Sequence, residues 1–283
     1  MGESGLVRLR DLLAGKRELL ISYSGGLDSS FLASVARDVL GDRLICVMLD
    51  SRLVPRSELA MAEKRAQEMG IAYQVISVDP LSSPEFCASP ANRCYLCKKI
   101  MCRALREEAA RLGIEYVADG LNSSDFCDYR PGIRASEEER IWHPLVEAGM
   151  SKGDIRTAAR DLGMEFWDQP ASACLASRIP YSEPITAEGL ARVEASEDFL
   201  RSIGFSGFRV RAHGSLARIE VSKDQMHHIL ENGQEVVEGL RRVGFSYVTL
   251  DLAGYRTGSM NEVLRDGVPG DWHDSPRGAP QRR

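Results

Sequence analysis

The chain has 283 residues, of which 43% are hydrophobic and 27% charged, and its formal net charge is −5. That length allows about two domains, the composition suits a soluble globular protein, and the acidic balance argues against general affinity for nucleic acid. No apolar run approaches the ~20 residues of a membrane span, and Met1-Gly2-Glu3-Ser4-Gly5 lacks a secretory pattern, so a cytoplasmic protein is expected.

The first ~180 residues alternate apolar runs with helical periodicity, which predicts an α/β fold built from parallel βαβ units. Leu19 to Ser22 reads as the first strand and Phe31 to Leu40 as the first helix. Between them lies Tyr23-Ser24-Gly25-Gly26-Leu27-Asp28-Ser29-Ser30. A strand, a glycine turn and a helix start present a row of backbone N–H groups to an anion. Gly25 and Gly26 permit close approach and unusual turn dihedrals, and Ser24, Ser29 and Ser30 add hydroxyl donors. No Gly-Lys-Ser/Thr is present, which excludes the Walker-type loop. Leu44 to Leu49 is a second strand that ends at Asp50-Ser51, and Ser57 to Met69 is a helix stopped by Gly70. Tyr73 to Val78 is a third strand, Cys97 to Leu112 a helix closed by Gly113, and Tyr116 to Ala118 a strand leading into Asp119-Gly120-Leu121-Asn122. Trp142-His143-Pro144-Leu145 is expected to hold a further short strand, followed by a helix from Lys152 to Leu162.

The pattern changes near Pro180. A helix over Ala187 to Ile203, a strand pair over 208–211 and 216–221, a helix within 224–243 and a strand over Tyr247 to Leu250 predict a small α+β domain spanning 181–266. The remaining 267–283 is rich in Pro, Gly and Arg and reads as a disordered tail. Residues 181–283 hold 13 Lys/Arg against 15 Asp/Glu, which does not support an RNA-binding module.

Ligands of parallel α/β sheets bind beyond the carboxyl ends of the strands, so residues just after each strand are the site candidates. Asp50 could contact adenosine, or simply close a turn. Gly120, Asn122 and Asp125 follow the fourth strand, and Asp119 or Asp125 could hold Mg²⁺ against phosphate oxygens. Arg130 offers a fork for phosphate or carboxylate, or a solvated loop. Seven cysteines in such a chain point to reduced thiols, metal ligands or catalysis rather than a disulfide framework. Cys46 reads as a buried apolar side chain, and Cys87, Cys102 and Cys127 show no usable spacing. Cys94 and Cys97 form a C-x-x-C at a helix start, where thiolates are favoured. With the distant Cys174 they could hold a [4Fe-4S] cluster with one open iron, or remain free thiols or a redox pair. Arg178, four residues after Cys174, could stabilise a thiolate or bind an anion.

Ser24 to Ser30 resembles the PP-loop of the ATP pyrophosphatases. The segments Asn92 to Lys98, Asp119 to Asp125, Asp128 to Gly132, Pro170 to Arg178 and Gly254 to Asn261 together resemble the LarE family of ATP-dependent sulfur transferases. The resemblance spans nearly the whole chain, and its Cys174 and Arg256 segments are the discriminating ones. It implies a PP-loop domain over 1–180, with ATP and Mg²⁺ as cofactors. The implied substrate is a small nucleotide, pyridinium-3,5-biscarboxylic acid mononucleotide, whose carboxylates become thiocarboxylates for the nickel-pincer nucleotide of lactate racemase. It implies Ser24, Gly25, Gly26, Asp28, Ser29 and Ser30 as the pyrophosphate-binding loop, and Cys174 as the residue tied to sulfur delivery. In one-cysteine members that cysteine gives up its own sulfur, whereas three-cysteine members carry a [4Fe-4S] cluster, the pattern that Cys94, Cys97 and Cys174 fit. Asp28 and Arg178 join Cys174 as expected catalytic residues. Arg130, Arg209, Arg211 and Arg256 are expected to bind the substrate's phosphate and carboxylates, although Arg209 and Arg211 would also suit a solvated strand face. Homo-oligomers, hexamers among them, come with the resemblance and from no residue here. The competing readings are a PP-loop tRNA thiolase and an ATP-binding sensor without chemistry.

Overall fold

Strands β1 (Leu19–Ser22), β2 (Leu44–Asp50), β3 (Tyr73–Ser77) and β4 (Tyr116–Ala118) form the main sheet of a computed structural model that describes residues 2–127, 131–170, 173–256 and 258–261. All pair in parallel in the order β3-β2-β1-β4, with Leu19 level with both Leu44 and Tyr116. The central β1 has helices over both faces, and Leu19, Leu20 and Ile21 are fully buried. Around the sheet run α1 (Gly2–Ala14), α2 (Leu27–Leu40), α3 (Arg56–Glu68), the single turn α4 (Pro84–Cys87), α5 (Arg93–Leu112), α6 (Pro131–Glu138), the single turn α7 (Pro144–Glu147) and α8 (Lys152–Asp161). Leu9 and Leu13 of α1, Phe31 and Val35 of α2 and Ile155 of α8 pack with Leu19 and Ile21 on one face. Leu105 and Ala109 of α5 pack with Leu20, Val47 and Val117 on the other.

Three local outcomes differ from the sequence reading. The helix after β1 begins at Leu27, not Phe31, because Gly26 adopts an extended N-cap conformation and the chain turns at once. Asp28, Ser29 and Ser30 therefore belong to the first helical turn. The helix carrying the C-x-x-C begins at Arg93, so both cysteines lie within its first turns. The strand expected at 142–145 is reduced to one parallel bridge between Ala118 and Trp142. Pro144 stands at the start of α7, where its fixed φ and missing N–H favour a helical first turn over a strand.

The second sheet has the order β5-β6-β7. β5 (Arg209–His213) and β6 (Leu216–Glu220) form an antiparallel hairpin, and β7 (Tyr247–Leu250) lies parallel to β6. Helices α9 (Ala187–Ser202), α10 (Met226–Glu231) and α11 (Gly233–Arg242) accompany it. The one helix expected within 224–243 is two, divided at Asn232. The core of this unit reaches back across Pro180. Leu53, Phe86, Leu175, Ala176 and Ile179 are buried in one cluster with Leu190, Val210 and Ile219. Packing thus assigns the segment after Cys174 to the second core. The proposed tail 267–283 lies outside the described residues. No helix among the described residues is long and apolar enough to cross a membrane.

Candidate active site

At the carboxyl end of β1 a cavity of about 410 Å³ opens between the two cores, a size suited to a small ligand. Ser24, Gly26, Asp28 and Ser29 line one side, Asp119, Gly120 and Asp125 another, and Cys174 the rim. The loop is held by its own hydroxyls. The Ser24 and Ser29 hydroxyls stand 3.0 Å apart, Ser29 donates to the Gly26 carbonyl at 3.1 Å, and the Gly26 N–H reaches Ser24 Oγ at 3.4 Å. Gly25 has φ +71°, and an added Cβ would overlap the Ala62 side chain of α3. Its freedom therefore serves the turn and the contact with α3, and Gly25 itself does not line the cavity among the described residues. Arg65, which is buried, secures that turn by donating to the Gly25 carbonyl at 2.5 Å and to Gln169 Oε1 at 2.5 Å while stacking on Phe166. Ser30 faces away, and its buried hydroxyl donates to Tyr23 Oη at 3.1 Å. Burial pushes the Tyr23 phenol up to about 12.

The loop after β4 fits against the phosphate loop through Gly120. A Cβ there would stand 2.7 Å from the Ser29 nitrogen and 3.0 Å from the Asp28 carbonyl carbon. Asp119 is buried and accepts from Lys98 Nζ at 3.0 Å, with His143 Nδ1 at 2.7 Å. Burial alone would raise its pKa, but the Lys98 ammonium and His143 outweigh it and hold the carboxyl well below the usual range. Asp119 is thus already neutralised by protein groups. Asn122 is buried in the turn, its side chain accepting from the Ser124 N–H at 3.0 Å and its own N–H donating to Asp125 Oδ2. Asp28 meets Lys152 Nζ with both oxygens at 2.7 Å, and Lys152 also lines the cavity. Asp28, Asp125 and Glu58 are the other carboxylates that line the cavity, and carboxylate oxygens beside phosphate suit Mg²⁺. Lys98 and Lys152 are two cavity cations that the sequence reading missed. Lys152 is the first helical residue inside a Ser151–Asp154 capping box, a sequence signal for the start of α8.

The expected ligands divide. Asp50 lies outside this cavity and pairs with Arg56 at 2.5 Å. Arg178, expected beside the thiolate, is instead 3% exposed and forms a two-point ion pair with Glu197 of α9, at 2.9 and 3.0 Å. Its remaining nitrogen donates to the Ala173 and Cys174 carbonyls at 2.7 and 3.0 Å. It therefore grips the backbone that carries the thiol. Arg211 is also buried, bonded to Glu220 at 2.7 Å and to the Ser177 carbonyl at 3.0 Å. Neither the solvated face nor a ligand contact describes it. Arg209 lines a second cavity of about 270 Å³, which shares Pro55, Glu58, Gln169 and Pro170 with the first. Burial and the nearby Arg178 charge lower the pKa of Arg209, whose Nη1 donates to the Phe208 carbonyl at 2.6 Å. Arg256 lines neither cavity among the described residues, its guanidinium reaching the Gly254 carbonyl at 3.4 Å. Arg130 lies outside the described residues.

Cys174 is exposed, as is Cys94, and Cys97 is half-buried. The atoms packed round the Cys94 sulfur desolvate it, and the Cys174 charge adds to that, so its pKa rises. Cys97 is pushed up by burial first, then by Cys174 and Cys94. Among the described residues no group of three His, Cys, Asp or Glu is arranged to hold a metal ion, so the expected ligand set does not close on a single ion. Thiolates on a four-iron cube bind different irons and stand farther apart than ligands of one ion. Cysteine thiols are the donor type that such a cluster takes.

Comparison with known proteins accords with this geometry. A family model described as NAD synthase matches residues 11–91, the part that carries the phosphate loop. An uncharacterized protein of Synechocystis is 42% identical, covering 93% of this chain and 99% of that protein. An uncharacterized protein of Methanocaldococcus jannaschii is 30% identical over 89% of this chain and 97% of its own length. The pyridinium-3,5-bisthiocarboxylic acid mononucleotide synthase of Lactiplantibacillus plantarum is 37% identical over 90% of this chain and 92% of its own. Likeness of that degree, running end to end and not confined to the nucleotide loop, makes this chain a member of the LarE family of PP-loop proteins.

Proposed function

We propose that the protein is a cytoplasmic, homo-oligomeric ATP-dependent sulfur transferase. It activates the carboxylates of pyridinium-3,5-biscarboxylic acid mononucleotide as adenylates and converts them to thiocarboxylates. The observation that carries this reading is a cysteine, Cys174, on the wall of the cavity formed by the PP-loop. A carboxylate is a poor acyl donor because oxide would have to leave. One of its oxygens attacks the α-phosphorus of ATP, and pyrophosphate departs. The loop N–H groups, Lys98 and Lys152 stabilise the charge that builds on the leaving phosphates. A sulfur nucleophile, reactive as the thiolate or sulfide, then attacks the acyl carbon, and AMP leaves with the carboxylate's oxygen. Arg209 in the adjoining cavity supplies a fork for the substrate's phosphate, with Arg256 and Arg130 as further candidates.

Cys94, Cys97 and Cys174 would hold a [4Fe-4S] cluster, whose open iron supplies the sulfide when the cluster is bound. Cys174 alone of the three lines the cavity among the described residues, which favours a second reading in which its own sulfur is transferred. In that case the Cα proton and the C–S bond are lost together, leaving dehydroalanine at position 174. Purified protein given ATP, Mg²⁺ and the pyridinium acid should form AMP only when the acid is present. No AMP under those conditions rejects the sulfur-transferase reading. Iron at ~4 per chain after anaerobic purification, with residue 174 intact, supports the cluster. Iron-free protein whose residue 174 loses one sulfur per thiocarboxylate formed supports sacrifice.

A further inference from the structure

We infer that Arg93 is a positioning residue that sets the distance between the Cys94–Cys97 turn and Cys174. Buried arginines occupy most carbonyls of the segment around Cys174. Arg178 takes those of Ala173 and Cys174, and Arg211 takes that of Ser177. Both of these are anchored in the second unit, through Glu197 of α9 and Glu220 of β6. Arg93 alone among them is anchored in the helix that bears Cys94 and Cys97. It is 3% exposed, donates to the Ile179 carbonyl at 2.7 Å and to Ser89 Oγ at 2.7 Å, and stacks on Tyr181. Arg93 is the residue immediately before Cys94 at the start of α5. The residue next to the first thiol of the pair is thus tied to the stretch of chain that follows the third.

The surrounding backbone is stitched to the same end. The Ser182 N–H donates to the Ser89 carbonyl and the Ile185 N–H to the Cys87 carbonyl, each at 2.8 Å, and Ser89 Oγ donates to the Pro180 carbonyl at 3.0 Å. Ser89 and Ser182 hold left-handed φ values of +54° and +67° without being glycine, and Ser89 is fully buried. Such conformations persist only where the surroundings over-determine them, and they collect at functional sites. Arg93 fills the joint that this strained pair brackets.

This inference rests on the reading that Cys174 delivers sulfur beside the other two thiols, yet its test needs no turnover and can fail separately. Metal-free, reduced protein is treated with dibromobimane, which bridges neighbouring thiols, well below the unfolding temperature. Mass spectrometry of the peptides gives the rate of bridging between Cys174 and Cys94 or Cys97, and the ATP-induced thermal shift is read in parallel. Wild-type protein should bridge. Arg93→Met should slow bridging by ~10–100-fold, the scale of loss that about an ångström of misplacement causes, with the ATP shift retained. Arg93→Lys keeps the charge without the fork and should fall between the two. Absence of bridging in the wild type overturns the inference, and so does an unchanged rate in Arg93→Met. If Arg93→Met also loses the ATP shift it has unfolded, and Ser89→Ala, which removes one partner of the guanidinium, decides. Slower bridging in Ser89→Ala supports the clamp, and an unchanged rate refutes it.

Discussion

Replacing Arg178 with Met tests whether this side chain holds the Cys174 segment or merely adorns it. The guanidinium and Glu197 are 3% and 5% exposed and meet at 2.9 and 3.0 Å. Without Arg178, the hydrogen bond left to Glu197 among the described residues is the Val210 N–H at 3.2 Å, the Ala173 carbonyl loses its arginine donor, and the Cys174 carbonyl keeps only the Ser177 N–H and hydroxyl. Removing one partner of a buried ion pair costs about 3–5 kcal/mol, because the other charge stays desolvated. At ~2–4 °C per kcal/mol for a chain of this size, the unfolding midpoint should fall by ~6–20 °C. Circular dichroism followed through heating or urea measures the change, with two probes to test two-state behaviour. The double variant Arg178→Met with Glu197→Leu should recover most of the loss, since an apolar pair in place of a buried ion pair is close to neutral. A single-variant cost below about 1 kcal/mol, the value of an exposed pair, would refute the clamp. A double variant no more stable than the single one would refute it equally.

Gly120→Ala places a methyl 2.7 Å from the Ser29 nitrogen. It should cost ~1–3 kcal/mol from overpacking and weaken ATP binding in calorimetry, while unchanged affinity would show that this contact does not shape the phosphate loop. Lys152→Met removes the cation held between Asp28 and the cavity and should lower the rate of AMP formation by ~10²-fold; full activity would exclude it from the phosphate site. Asp119 has a folded pKa below its unfolded one, so the unfolded chain binds that proton more tightly. Its stabilisation is complete above about pH 4 and is lost as pH falls from there toward the folded value. The gap in unfolding free energy between wild type and Asp119→Asn should therefore narrow as pH falls below about 4, and a gap independent of pH would remove the buried pair from the account.

The sheet was legible because its strands are short apolar runs bounded by glycine and helical periodicity, and β1 to β4 fall within a residue of their expected ends. The nucleotide loop was legible because its serines and glycines are local in sequence and act locally. The roles of Arg178 and Arg211 were not. Their partners, Glu197, Glu220 and the carbonyls of 173–177, lie at other places along the chain, and no local rule distinguishes an arginine that will meet a phosphate from one that will meet a buried carboxylate. Lys98 was hidden for a related reason. Its charge is directed to Asp119, 21 residues later, while the flanking cysteines drew the reading toward metal chemistry. The α1 helix escaped notice altogether because Leu6, Leu9, Leu12 and Leu13 form a stripe only once α2 and α8 are in place to cover it.

The two cores explain why the sulfur-bearing residue sits where it does. A nucleotide loop must be rigid before its N–H groups can stabilise a departing pyrophosphate, and that rigidity comes from the core around β1 and α2. In the proposed reaction a second reactant enters from another direction, and the other core offers it β5 and the cavity at Arg209. Cys174 lies on the chain segment that leaves the first sheet and enters the second core at Leu175, whose N–H donates to the Leu53 carbonyl at 2.8 Å. Leu53 in turn follows β2 by three residues, so the seam is pinned at the carboxyl end of the nucleotide sheet. Under the proposed function, a thiol at that seam would reach an acyl group activated on one side while the rest of the substrate is held on the other. Moving it into either core would bury the sulfur and raise its pKa, as burial does for Cys46, pushed up to about 12, and the nucleophile would be lost.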